Sequence, residues 1–154
     1  MAVSATPAMT PGTILDEVHF DVEAGKVREF ARATHLADPV HVDAEAAGAA
    51  GFDSCPATPT HVVVAGHHRD QQAFVRALGL AIERVVVGSV EWDYARPVVV
   101  GDSLTGTRRV LSDTTREGKR GGQMRLVTLE TAWIDRNGDT VVTQRETLIE
   151  KAAK

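Results

Sequence analysis

The sequence predicts an α+β fold in which one antiparallel sheet wraps around a long central helix. Residues 62–66 are apolar on nearly every side, which predicts a helix that other structure covers. After Leu80 the spacing of apolar residues changes from helical to a period of two, which indicates strands. The connections between these strands are short and rich in glycine. Because hairpin turns cannot link parallel strands, a doubly wound parallel sheet is excluded.

The elements before the central helix are short. Residues 13–20 predict a first strand, and Asp21 is a candidate N-cap for the helix that follows. One face of that helix carries Val27, Phe30, Ala31 and Thr34. Asp43 is the candidate N-cap of a second short helix, which Gly51 is expected to end.

The central helix is expected to begin with Thr58 as its N-cap and Pro59 at its first position, which is the favoured helical site for proline. It should run to about Leu78, with Gly79 ending it. The valines at positions 62–64 are poor choices for an exposed helix, so packing must decide the conformation here.

Four consecutive strands joined by hairpins are predicted after this helix. In the first of them Val90, Trp92 and Tyr94 share one face. The others are predicted at residues 104–111, 124–134 and 140–149. Asn137-Gly138 is the strongest hairpin turn signal of the sequence. An antiparallel sheet wrapped round one buried helix is the hotdog arrangement.

Length and charge limit the possible functions. A chain of 154 residues is one ordinary domain, and we expect a flexible tail at 1–11 and a single domain at 12–151. The net charge of −4 argues against nucleic acid as the main partner, because phosphate binding needs a basic surface. The basic pair Lys119-Arg120 is interpreted as a solvated turn.

The location is expected to be cytoplasmic. Cys55 is the single cysteine, so no internal disulfide is possible, and neither a signal peptide nor a membrane span is predicted. No metal site is predicted either, since His61 and His67 would lie on roughly opposite sides of a helix. Several basic residues are candidates for contact with ligand phosphates or are merely solvated, namely Arg108, Arg109, Arg116, Lys119 and Arg120.

Three segments carry a resemblance to a known family. Pro39, Val40, His41 and Asp43 match the motif Asp, any, Asn, Pro, apolar, His, any, Asp, so that residues 33–47 resemble the MaoC-like hydratase/dehydratase family. The segment ARPVVVGDSL resembles the family's proline-then-Gly-Asp turn. The segment CPATPTHV is similar to the helix start of the N-terminal, FAS1-like dehydratase half of that family.

The resemblance implies a hotdog protein of fatty acid metabolism that acts without a cofactor on an acyl-CoA or an acyl carrier protein thioester. In active relatives the motif Asp and His hold the water that is added to, or removed from, a 2-enoyl thioester. Backbone N–H groups at the start of the central helix polarise the thioester carbonyl. On this resemblance the substrate-binding residues are Leu36, Thr58, Thr60, His61 and Val62.

The sequence departs from the motif at one decisive position. Leu36 stands where the family has its first Asp, and Asp38 stands at the Asn position. A leucine cannot orient water or move a proton. Either His41 and Asp38 form a variant catalytic pair, or this subunit has lost the chemistry. The second hypothesis is favoured, because the helix start also follows the less catalytic half of the family.

Three functions therefore remain open. In the first hypothesis, the chain is the acyl-binding, catalytically degenerate half of an (R)-specific enoyl-thioester hydratase or 3-hydroxyacyl-thioester dehydratase. It then forms a heterodimer or a homodimer with a MaoC-like hotdog subunit, and the heterodimer is favoured. Alternatively it is a stand-alone homodimeric hydratase that uses His41 and Asp38. The third hypothesis is an acyl-thioester binding module without enzymatic activity. The sequence leaves open the acyl chain length, a steroid side chain as substrate, and the choice between CoA and carrier protein.

Overall fold

The computed structural model describes residues 7–118 and 121–152 as an α+β domain, which confirms the predicted fold class. Its strands are β1 (Ile14–Asp21), β2 (Val85–Tyr94), β3 (Ser103–Glu117), β4 (Gln123–Ile134) and β5 (Thr140–Glu150). Its α-helices are α1 (Ala24–Ala33), α2 (Ala44–Ala49) and α3 (Gln71–Ala77), with 3-10 helices at Pro39–His41, His61–His68 and Ile82–Arg84. The predicted basic turn at Lys119-Arg120 and the first six residues of the predicted tail lie outside the described residues.

The five strands form one antiparallel sheet in the order β1-β3-β4-β5-β2. The predicted hairpins between β3 and β4 and between β4 and β5 are confirmed. The predicted hairpin between β2 and β3 is wrong, because β2 pairs with β5 at the edge of the sheet. The eight residues at 95–102 span up to roughly 26 Å when extended, and β3 lies three strand spacings, or about 14 Å, from β2. The connection is therefore long enough to cross.

The hairpin between β4 and β5 forms at the predicted Asn137-Gly138 turn. The carboxylate of Asp135 accepts hydrogen bonds from the amides of Asn137 and Asp139 at 2.9 and 3.1 Å. Gly138 has φ +88°, a conformation that a residue without a Cβ adopts at little cost. Local chemistry alone therefore fixes this turn.

The central segment is helical, but the prediction of one continuous helix is wrong. A 3-10 helix covers His61–His68, Arg69 is extended, and α3 begins after Asp70. The Asp70 carboxylate accepts a hydrogen bond from the Ala73 amide at 2.8 Å, which caps the new helix. Three consecutive valines and Gly66 have low helix propensity, and the Arg69 guanidinium is held by Asp16 of β1. Both effects favour the break.

The predicted helix caps have mixed outcomes. Asp43 caps α2 as predicted, since its carboxylate accepts hydrogen bonds from the amides of Glu45 and Ala46. The N-cap of α1 is Glu23 and not Asp21, because Asp21 is still the last residue of β1. The Thr58 side chain caps no helix: its hydroxyl has no hydrogen-bond partner among the described residues.

The core consists of two apolar clusters between the helices and the inner face of the sheet. The first is built around Trp133, Leu104 and Val62, and the second around Leu78, Leu129 and Phe74. Met9, within the predicted tail, packs against the second cluster, and its amide donates to the Asp113 carboxylate at 2.7 Å. In the described part of the chain, no helix has the length and apolar character that crossing a membrane requires.

Candidate functional site

A groove with a volume of about 850 Å³ lies between the segment that follows α1 and the end of β2 with its connection to β3. This volume is within the range of small-molecule sites. The predicted site residues on its wall are Leu36, Asp38, His41 and Thr58. Thr58 belongs to a different motif from Leu36, Asp38 and His41, and the fold brings the two motifs to one surface.

His41 is oriented by a backbone carbonyl. Its Nδ1 lies 2.8 Å from the Pro56 oxygen, and because a carbonyl can only accept, Nδ1 carries the hydrogen. The Nε2 atom is then the basic nitrogen of the neutral ring. The Pro56 segment is itself fixed, since Pro56 forms a β-bridge with Val99 and the Ala57 amide donates to the Val98 oxygen at 2.7 Å.

Asp38 and Leu36 give this histidine no carboxylate partner. The Asp38 side chain is the N-cap of the short 3-10 helix and accepts a hydrogen bond from the Val40 amide at 3.0 Å. Within residues 7–118 and 121–152, no side-chain hydrogen bond joins Asp38 to His41. Leu36 is 42% exposed and lines the same groove. An apolar side chain thus lies on the groove wall at the position where the family motif has its first Asp.

Two buried hydroxyl groups on the groove wall have no partner among the described residues. They belong to Thr58, which is 3% exposed, and to Tyr94 at the end of β2. Burial raises the pKa of Tyr94, so its hydroxyl stays protonated and can donate at neutral pH. Sequence reasoning missed Tyr94 as a site residue. The available signal was its inward position in the period-two pattern, because a buried tyrosine hydroxyl needs a partner.

The remaining predicted binding residues do not lie on the groove wall. Thr60 is the N-cap position of the 3-10 helix, and Val62 is 2% exposed in the first core cluster. His61 is 1% exposed, and its ring stands edge-on to Phe30 at 5.5 Å between centroids. Burial lowers the pKa of His61 to about 4, so the ring is neutral near pH 7. Their predicted contact with substrate stays a prediction.

One arginine at the groove is held in place by acidic neighbours. The Arg96 guanidinium donates to both carboxylate oxygens of Asp102 at 2.8 and 2.9 Å, and to Asp135 at 3.2 Å. These hydrogen bonds raise the pKa of Arg96. Asp102 also accepts from the Val99 amide at 2.9 Å and so orders the predicted Gly-Asp turn.

In the ranges that the structure describes, no group of three or more His, Cys, Asp or Glu residues could hold a metal ion.

Comparison with known proteins assigns the family. A family model described as FAS1-like, dehydratase domain region, matches residues 9–144. The chain belongs to this family. A UPF0336 protein of Clavibacter michiganensis subsp. michiganensis is 42% identical to this chain over 125 residues, which cover 80% of each protein.

Solved structures agree with the family assignment. The HadBC 3R-hydroxyacyl-ACP dehydratase complex of Mycobacterium tuberculosis matches with a TM-score of 0.73 and 25% identity, over 87% of this chain and 94% of that chain. A MaoC-like dehydratase matches with a TM-score of 0.76 and 25% identity, over 92% of this chain and 41% of that one. The predicted hotdog fold and the predicted resemblance to MaoC-like dehydratases are therefore confirmed.

Proposed function

We propose that this FAS1-like dehydratase chain is the acyl-binding subunit of a heteromeric (R)-specific enoyl-thioester hydratase or 3-hydroxyacyl-thioester dehydratase. A MaoC-like partner subunit with an intact Asp and His carries out the water chemistry. The observation that supports this proposal most strongly is the groove itself: its His41 ring pairs with the Pro56 carbonyl and, among the described residues, with no carboxylate, while Leu36 stands at the position of the motif Asp.

The chemistry of hydration explains why the missing carboxylate matters. Adding water across a 2-enoyl thioester requires a group that takes a proton from water and a group that gives a proton to the α-carbon. Leu36 can do neither, and the Asp38 carboxylate accepts a hydrogen bond from the Val40 amide and none from the His41 ring. The groove retains polar groups that could serve binding, since Thr58 and Tyr94 on its wall carry hydroxyl groups without a partner among the described residues.

The edge of β2 is the surface that we assign to the partner subunit. β2 pairs only with β5 among the described strands, so its other edge has backbone N–H and C=O groups without a strand partner. Apolar side chains flank this edge, with Ile82 56%, Val86 39% and Val87 60% exposed. Exposed apolar residues beside a free edge are typical of an association surface. The structural similarity to a dehydratase complex supports this arrangement.

The proposal is tested by co-expressing the chain with each MaoC-like protein of the source organism and assaying hydration of crotonyl-CoA and of a long-chain enoyl-CoA. Because general acid–base catalysis contributes about 10²- to 10⁴-fold, we expect the complex to exceed the chain alone by about 100-fold or more. His41→Ala in this chain is expected to lower the activity of the complex less than about tenfold. The equivalent substitution in the partner should abolish the activity.

Two outcomes contradict the proposal. Strong hydratase activity of the purified chain that is lost in His41→Ala would identify a stand-alone hydratase instead. Saturable acyl-CoA binding without product, in combination with every MaoC-like protein of the source organism, would identify a binding module.

Restoring the motif carboxylate by Leu36→Asp is expected to give measurable activity to the chain alone. Because Leu36 is 42% exposed, we expect the loss in unfolding free energy to stay within about 1 kcal/mol. Crotonyl-CoA hydration should rise about tenfold or more above the parent chain, since an Asp beside His41 can hold water. Leu36→Asn is the matched control, because it is polar but carries no titratable proton. Equal rates for the Asp and Asn variants would contradict the prediction.

A further inference from the structure

A row of charged side chains with alternating sign crosses the outer face of the sheet, which is the face turned away from the helices. Arg109 of β3 is the direct cross-strand partner of Glu130 of β4, and Glu130 is the partner of Arg145 of β5. The Glu130 carboxylate accepts hydrogen bonds from both arginines, at 3.0 Å in the case of Nε of Arg145. Glu91 of β2 continues the row, since it stands directly opposite Arg145.

The row ends with a carboxylate at the free edge of the sheet. Trp92 and Tyr94 pack against the first core cluster on the inner face, so that Glu91 and Asp93 between and beside them point to the outer face. Both acidic side chains are exposed. In the described part of the chain, neither carboxylate has an ion-pair partner, because the guanidinium of Arg145 is bound to the preceding carboxylate of the row.

The charges of this row are complete at Glu130 and incomplete at Glu91. Opposite charges that stand directly across a strand pair stabilise a sheet, and like charges in that position destabilise it. Glu130 has an arginine on each side, whereas Glu91 has an arginine on one side and the free edge on the other. A further strand would therefore continue the alternation if it placed a cation opposite Glu91.

A second copy of this chain cannot supply that cation through the same edge. β2 contains no Lys, Arg or His, so no register of a β2–β2 pair sets a cation of the strand opposite Glu91. The arginines that flank β2, Arg84 and Arg96, donate to Glu150 and Asp102. Registers centred on the second half of β2 would instead set its carboxylates opposite or diagonal to one another, which is unfavourable.

We infer that the outer face of β2 selects a partner strand that carries Lys or Arg opposite Glu91 and Asp93, and that it disfavours pairing between two copies of this chain. The inference rests on the proposed function, because it specifies the chemistry of the MaoC-like subunit named there. The exposed side chains of Val86 and Val87 add apolar area to the same edge, and the two carboxylates decide which strand fits.

Glu91→Lys is expected to weaken binding of the MaoC-like subunit about tenfold, because it sets like charges opposite each other in the paired strands. The dissociation constant of the two full-length chains measures this at about 0.05 M and at about 0.5 M NaCl, and the higher salt should narrow the difference. Glu17→Lys is the matched control, since Glu17 is also exposed on the outer face but lies on β1 at the opposite edge. It should leave the affinity within about twofold.

A charge swap connects the effect to strand pairing. Each Lys or Arg on the edge strand of the MaoC-like subunit is changed to Glu, and one of these reversals is expected to weaken binding of the parent chain and to restore most of the affinity of Glu91→Lys. Should Glu91→Lys fail to fold, Glu91→Gln replaces it, because it removes the charge without reversing it. It should weaken binding about threefold.

The chain without its partner gives a second measurement. The double variant Glu91→Gln, Asp93→Asn is expected to self-associate about tenfold more tightly than the parent in sedimentation experiments, because the repulsion between the two edges is removed. Glu17→Gln is the control for the loss of an acidic charge elsewhere on the outer face, and it should self-associate as the parent does.

The possible failures can be told apart. A complex that tolerates Glu91→Lys, or Glu91→Gln in its place, as well as it tolerates Glu17→Lys would overturn the inference and leave the proposed function intact. Absence of a complex with any MaoC-like subunit would contradict both. A parent chain that already forms a stable homodimer, which the double variant does not tighten, would also overturn the inference.

Discussion

Lowering the pH from 7 to 4.5 is expected to reduce the free energy of unfolding by about 2 kcal/mol through His61 alone. This side chain is 1% exposed, and neither ring nitrogen has a hydrogen-bond partner among the described residues. Burial lowers its pKa from 6.5 to about 4. The charged ring is therefore much less stable in the folded protein than in water.

The direction of this change in the free energy of unfolding follows from proton binding at His61. Between about pH 6.5 and pH 4 the unfolded chain binds a proton at His61 and the folded chain does not, so stability falls as the pH falls through this window. Burial opposes ionisation of Asp113 and Glu130, but arginine hydrogen bonds outweigh it and lower the pKa of both. Their stabilising contribution begins to be lost near their ordinary values of 3.8 and 4.5, and most of it is lost below them. Between pH 7 and pH 4.5 the loss of stability through these two carboxylates is therefore small beside the loss through His61.

Urea unfolding at pH 7 and pH 4.5 measures this effect. His61→Leu is expected to change by no more than about 0.5 kcal/mol between the two pH values, because leucine does not titrate. His67→Leu is the matched control, since His67 lies on the same 3-10 helix but is exposed, and it should keep the pH dependence of the parent. An unchanged pH dependence in His61→Leu would assign the effect to another group.

The features that could be predicted from the sequence depend on neighbours along the chain. Asp43 caps α2 through amides two and three residues later, and the Asn137-Gly138 turn is closed by Asp135. The break at Arg69 could not be predicted in this way, because the contact that favours it is made with Asp16, 53 residues earlier. The position of β2 beside β5 is likewise a pairing between distant segments. Periodicity identifies strands but does not order them.

In the candidate site, too, the features that depend on nearby residues could be predicted, and those that depend on distant residues could not. The motif placed His41 and Leu36 at one groove, where the structure also places them. It could not show that Pro56 orients the His41 ring, since that contact spans 15 residues and involves a backbone atom. The resemblance predicts His61 as a binding residue at the start of the central helix. Whether such a ring points to ligand or to core depends on its neighbour Phe30, which periodicity does not reveal.

Gly106→Ala is expected to lower the free energy of unfolding by about 3 kcal/mol, at the upper end of what overpacking a core costs. A Cβ at this position of β3 would lie 2.5 Å from Cε3 and Cζ3 of Trp133. Trp133 is 2% exposed and stands edge-on to Phe20 at 5.7 Å between centroids, with the Arg69 guanidinium over its ring. The indole therefore cannot move away without disturbing the core around it.

Chemical denaturation together with tryptophan emission tests this expectation, because a displaced Trp133 changes its spectrum. Gly48→Ala is the matched control: Gly48 lies in α2, and a Cβ there meets no atom within 4 Å. The same chemical change should raise stability by up to about 1 kcal/mol at that position, since alanine loses less conformational entropy in a helix. If Gly106→Ala instead unfolds within about 0.5 kcal/mol of the parent, Trp133 is not packed tightly against β3.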